Sequence, residues 1–189
     1  PVTQHCTPAA VFLNGEYYGF SWVHENYNED YLATYFGGNK ENYEIISNTE
    51  DADEGSERAL ADYAKVLEYY DRDLTDDKTF AEFCELVDID NLMQYYCMEV
   101  FIANKDWPGN NYKAFRYYPD EGEDASGFRD GKWRFMFFDA EYAWSLYGDR
   151  PNQNTARPAG RKSHERRKQG SYRIAETRRH EAEIRGGHV

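Results

Sequence analysis

The segment Asn91 to Asn104, NLMQYYCMEVFIAN, constrains this chain more than any other. Met93, Tyr96, Cys97, Val100 and Phe101 recur at helical spacing, and Leu92, Tyr95 and Ile102 fill much of the remaining circumference. A helix with so little polar face belongs inside a core, so the rest of the chain has to supply the elements that surround it. Pro108 and Gly109 then forbid its continuation and impose a turn. The loop NKDWPGNNY therefore stands at the rim of a buried element and carries one carboxylate, Asp106, and two amides, Asn110 and Asn111. It is either a helix stop whose polar residues hydrogen-bond locally or a catalytic loop.

The flanking sequence supplies the partners. AAVFLNGEYYGFSWVHE places strand formers on both sides of Asn14-Gly15, two residues that tolerate positive φ, which predicts a hairpin over about 10–24. Leu60, Tyr63, Ala64 and Leu67 follow helical spacing behind a Ser56 cap, over about 56–71. A second helix is expected to start at Thr75, capped by its hydroxyl, with Phe80, Phe83, Cys84 and Val87 buried. The apolar helix is the third, starting after Asp88 or Asp90. NYKAFRYY and KWRFMFFDA read as strands joined by the acidic, exposed tip PDEGEDASGFRDG. Pairing them antiparallel brings Asn111, at the base of the first, close to Asp139, at the end of the second. These elements make an α+β domain with an N-terminal β-hairpin, central helices and a second β-hairpin.

Asp106, Asn111 five residues on and Asp139 one hairpin later repeat the arrangement of protein kinases. There one Asp accepts the substrate hydroxyl proton, while an Asn and a later Asp hold Mg²⁺ against the nucleotide phosphates. Carboxylate and amide oxygens suit a hard cation of that kind. The spacing alone leaves the local-turn reading open. The chain has no H-R-D before the loop, no D-F-G at Asp139 and no G-x-G-x-x-G, which excludes an ordinary protein kinase.

Three stretches, VFLNGEYYGFSWVHEN, YYCMEVFIANKDWPGNNY and GKWRFMFFDAEYAWSL, resemble successive motifs of the CotH kinase family, atypical kinases of spore coats and secreted bacterial proteins. The resemblance covers about residues 10–147 and rests on N-x-D-W-x-x-N-N followed by W-x-x-x-x-x-D. It implies a divergent, here partial, kinase-like fold in which the second hairpin carries the metal site. It further implies ATP with Mg²⁺ or Mn²⁺, protein substrates phosphorylated on Ser or Thr hydroxyls, and a secreted or cell-surface location, although no signal peptide is visible. Asp106 becomes the catalytic-loop Asp, Asn111 a metal ligand and Asp139 the principal one. Asn110 is an alternative to Asn111, and Glu25 matches an acidic position of the family whose role the resemblance leaves open; both are candidates for cofactor binding. Family domains carry a long segment before the NGEYYG hairpin and helices after FFDAEYAWSL, which sets a fragment or an inactive pseudokinase fragment beside the active enzyme.

The net charge of −13 disfavours nucleic acid as a partner. It is uneven: residues 155–189 hold 10 Lys/Arg and 4 Asp/Glu, against 12 and 31 before them. The expected organisation is a domain over 1–150 and a basic, disordered tail over 151–189. Cys6, Cys84 and Cys97 form neither a zinc pattern nor a disulfide framework. No apolar run approaches the ~20 residues of a membrane span. DRDLTDDKTFAE imitates a calcium loop but has Asp76 where such a loop needs Gly. Trp107, Trp133 and Trp144 read first as packing residues, with Trp107 sealing its loop against the core. A competing view of the whole chain is a non-catalytic surface module that binds carbohydrate or protein, for which exposed aromatics in a row would be the mark.

Overall fold

The apolar helix forms as α4, Ile89–Ile102, and it is the element on which the rest is aligned. Asp88 caps it, accepting from the Asn91 amide at 3.0 Å. Its buried stripe is Leu92, Tyr95, Tyr96, Glu99 and Ile102, whereas Cys97 and Phe101 face solvent. The face expected from Met93, Cys97 and Phe101 is thus rotated, because near-uniform apolarity leaves orientation to the neighbours. The computed structural model describes residues 1–47, 51–54, 56–105, 107, 110–144 and 146. Asp106, Pro108, Gly109 and the tail over 151–189 lie outside the described residues.

The two predicted strands are β6, Lys113–Tyr117, and β7, Arg134–Phe137, paired antiparallel with Lys113 opposite Met136. They lie inside a five-stranded sheet. β1, Val2–Thr3, runs parallel to β7; β4, Tyr43–Ser47, and β5, Asp51–Glu54, follow on the other side, in the order β1-β7-β6-β4-β5. Alternation divides its side chains into two cores. Ile46, Ala114 and Phe135 face α4, α2 (Glu57–Leu67) and α3 (Asp77–Leu86). Ile45, Phe115, Tyr117 and Met136 face α1, Glu29–Phe36, through Tyr31 and Leu32. The sheet is therefore sandwiched between one helix and three, and the chain is a mixed α+β structure.

Two predicted caps work differently from expectation. Ser56 occupies the N-cap position of α2, but its hydroxyl donates to Glu44 Oε2 on β4 at 2.6 Å, tying the helix to the sheet. Asp76, not Thr75, caps α3, accepting from the Thr79 amide at 2.8 Å. Thr75 instead donates to Asp73 through both its amide and its hydroxyl, at 3.0 and 2.7 Å, so the calcium-like stretch is a turn and a cap. The acidic tip between β6 and β7 folds back on itself: Glu123 accepts from Tyr117 at 2.8 Å and from Arg129 at 2.7 Å.

The N-terminal hairpin spans β2, Cys6–Leu13, and β3, Glu16–His24, with Asn14 and Gly15 at φ 52° and 85° in the turn. It is a separate two-stranded ribbon. Phe12, Tyr17, Phe20 and Trp22 are 53–63% exposed, with Phe12 edge-on to Tyr17 and Phe20 edge-on to Trp22.

Candidate functional site

The candidate site lies where α4 ends and β7 ends, and three contacts between these elements place it. At the start of α4, buried Arg134 bonds Asp88 at 2.8 Å and holds both oxygens of Asp130 at 2.8 and 3.0 Å. One turn on, Asn91 accepts from the Phe135 amide at 2.6 Å and donates to the Phe135 carbonyl at 3.2 Å. Tyr95 then stacks on the Phe135 ring with centroids 5.7 Å apart. With α4 and β7 locked in parallel register, their C-terminal ends emerge side by side.

The end of α4 is closed by the paired bonds of a Schellman turn, Asn104 N–H to Glu99 C=O at 3.1 Å and Ala103 N–H to Val100 C=O at 3.2 Å. Ala103 takes the left-handed conformation at φ 57°, ψ 44°. Asn104, 6% exposed, points its Nδ2 at Glu99 Oε2, 2.9 Å away, and lies 3.5 Å from the backbone carbonyl of Asp139. Beyond β7 the chain runs back over the same helix end: Lys105 N–H donates to Tyr142 C=O at 3.3 Å, and Trp144 N–H to Ile102 C=O at 2.9 Å. Asn104, two residues before Asp106, thus touches Asp139 directly.

Asn111 and Asp139 come to the same end of the β6/β7 pair, two residues before Lys113 and three after its partner Met136. Both have left-handed backbones, at φ 56° and 50°, which Asn and Asp tolerate better than other L-residues. Asp139 is exposed and Asn111 half-buried, with Asn110 exposed beside it. An amide oxygen and a carboxylate at one strand end are hard donors of the type a magnesium or manganese ion accepts. Among the described residues, no cluster of three His, Cys, Asp or Glu side chains has metal-binding arrangement. Asp106 itself lies outside the described residues.

Glu25 follows β3 at the base of the ribbon. Its carboxylate accepts from Tyr35 of α1, from the His5 amide at 2.8 Å and lies 3.1 Å from His5 Nδ1. The Tyr35 hydroxyl first, and the His5 amide second, hold its pKa below the usual glutamate value. Two residues on, the Tyr27 hydroxyl donates to the carbonyls of Val2 and Phe137, at 3.1 and 2.9 Å. Glu25 thus anchors the ribbon to α1.

Trp107 packs edge-on against Tyr96 and Tyr95 with centroids 4.8 and 6.0 Å apart, sealing the loop as expected. Trp133 is fully buried against Tyr63. Trp144 differs: it is 69% exposed and meets only the exposed Phe101 edge among the ring contacts of the described residues.

Sequence reasoning assigned no role to Glu99 and Asn104. Asn104 was visible as the first residue of the N-x-D-W-x-x-N-N motif. Glu99 was hidden as the one acid beyond the first turn of an apolar helix, and the structure makes it 1% exposed. Loss of hydration raises its pKa from 4.5 to about 7, against the opposing pull of Asn104 and the Tyr95 hydroxyl.

A family model described as CotH kinase protein matches residues 2–178. The chain belongs to the CotH kinase family. The match extends past the quoted motifs at both ends and crosses residue 150. No curated protein and no solved structure matches the chain. For a CotH chain the meeting of Asn104 with Asp139 acquires a meaning, since it joins the loop motif to the strand-end motif. No helix of the described residues is long and apolar enough to cross a membrane.

Proposed function

We propose that this chain forms the core of an atypical, kinase-like domain that transfers the γ-phosphoryl group of ATP to Ser or Thr hydroxyls of a protein substrate. The observation that carries this reading is the contact between Asn104 and the Asp139 carbonyl, which sets the start of the Asp106 loop against the end of β7. Asp106 takes the proton of the attacking hydroxyl, whose oxygen bonds to the γ-phosphorus as the bond to the ADP oxygen breaks. Asn111 and Asp139 would hold Mg²⁺ or Mn²⁺, which supplies charge neutralisation to the phosphates. Asn110 stands in for Asn111 if that side chain turns away, and Glu25 supports the nucleotide side through the ribbon. A secreted or cell-surface setting accompanies this reading.

The test is label transfer from ATP with manganese or magnesium to a generic protein acceptor. Asp139→Ala and Asp106→Ala are expected to abolish it, and equal transfer by Asp139→Ala and parent would overturn the metal assignment. A thermal-shift titration with ATP and manganese separates the inactive alternative. A pseudokinase without nucleotide affinity shows no shift.

A second reading is favoured by the exposed row Phe12, Tyr17, Phe20 and Trp22. In it the ribbon is a non-catalytic binding surface for a protein or carbohydrate partner. Loss of partner binding in Phe20→Ser/Trp22→Ser, with nucleotide binding absent from the parent, would favour this reading over the kinase.

A further inference from the structure

Glu99 is an acid that this helix has no packing reason to contain. It sits among apolar residues of α4 at 1% exposure, with Asn104 and the Tyr95 hydroxyl as the polar groups beside its carboxyl. Burying a carboxyl group in this way is unfavourable unless a specific interaction returns free energy. Its Oε2 accepts from Asn104 Nδ2 at 2.9 Å, on the residue that also reaches the Asp139 carbonyl.

The chemistry of these groups fixes a direction. Oε2 accepts from Nδ2, which selects the amide orientation of Asn104 in which Nδ2 faces Glu99 and Oδ1 faces away. The Asp139 carbonyl lies on the same Nδ2 side and needs a donor. Were the amide reversed, Oδ1 would oppose both acceptors. The peptide after Asp139 sits at a left-handed turn, where φ is 50° and the strand ladder no longer holds it. Asn104 is thus a side-chain tether on that peptide, and Glu99 decides which end of the tether points inward.

We propose that Glu99 is a positioning residue, acting through Asn104 to orient the Asp139 backbone and with it the Asp139 carboxylate. This rests on the phosphoryl-transfer reading for its consequence, but the orientation itself is independent of it. Gln at position 99 keeps an oxygen acceptor for Asn104, and Leu removes it while filling a similar volume.

The experiment compares Glu99→Gln and Glu99→Leu in the full chain by two readouts. In label transfer, Glu99→Leu is expected to lower kcat about tenfold or more, since misplacing a reacting group by about 1 Å can lower rates by ~10²-fold. The KM for the acceptor should stay unchanged, and Glu99→Gln should retain most of the rate. In amide NMR, Glu99→Leu should shift the Ala140 resonance, whose nitrogen shares the peptide with the Asp139 carbonyl, while Glu99→Gln leaves it in place. A Glu99→Leu protein with parental transfer and an unmoved Ala140 resonance overturns the proposal, as does a loss of kcat that Gln does not rescue. If the parent transfers no label, the phosphoryl-transfer reading has failed, and the Ala140 resonance alone still decides whether Glu99 orients Asp139.

Discussion

Asn91 satisfies both backbone groups of Phe135, taking its N–H at 2.6 Å and its C=O at 3.2 Å. One side-chain amide thereby acts as a one-residue strand, and it lies between a buried helix and a buried sheet, where no water can replace it. Asn91→Ala leaves two buried backbone groups unpaired at ~1–3 kcal/mol each. We expect a loss of about 3 kcal/mol in denaturant-induced unfolding, and Asn91→Leu should not restore it despite refilling the volume. A change below about 0.5 kcal/mol would show that β7 is held by other contacts.

Glu99 links stability to pH in a direction opposite to most acids. Its folded pKa of about 7 lies above the ordinary 4.5, so the folded state binds the proton more tightly than the unfolded one. Relative to Glu99→Gln, the stability of the parent is therefore greatest below pH ~4.5 and falls as pH rises to about 7. The size of that fall follows from the shift, about 3 kcal/mol at ~1.4 kcal/mol per pKa unit. Chemical unfolding of both proteins from pH 4 to 8 measures it, and parallel curves would contradict a buried carboxyl.

Ala103 closes α4 in a left-handed conformation that its Cβ disfavours. Ala103→Gly is expected to raise stability by about 1 kcal/mol, read as a higher denaturation midpoint. The change touches neither Asn104 nor Glu99. A lower midpoint would show that the helix end is not held in this conformation.

The ribbon of β2 and β3 presents Phe20 and Trp22 to solvent at 61% and 53% exposure, in a sheet of only two strands. Exposed apolar strands with open edges pair with copies of themselves. Concentration-dependent self-association is expected in sedimentation. Phe20→Ser/Trp22→Ser should reduce it with little change in melting temperature, because neither side chain belongs to the two buried cores.

The hairpin at Asn14-Gly15, α2, α4 and the β6/β7 pair were legible because each is set by local chemistry: turn residues, helical spacing, caps, β-rich runs. β1, β4 and β5 were not. Val2 and Thr3 are strand only because β7 offers an edge, and Tyr43–Ser47 finds its partner β6 some 70 residues later. α1 was missed although Asn28 caps it, accepting from Tyr31 at 2.9 Å. Of the candidate site, Asn111 and Asp139 were legible as motif residues, and their arrival at one end of the strand pair followed from antiparallel pairing.

The sequence by itself determined that a helix with almost no polar face would be buried and that a carboxylate and two amides would follow it; the stop expected from Pro108-Gly109 comes earlier, at the left-handed Ala103. Only the tertiary structure decided which side of that helix faces the sheet, because a helix apolar on most sides has no preferred orientation until neighbours supply one. That choice buries Glu99, leaves Phe101 in solvent and sets Asn104 against Asp139. The contact between residues 35 positions apart depends on α4 and β7 being locked together by Asn91 and Arg134, long-range bonds that no local pattern encodes.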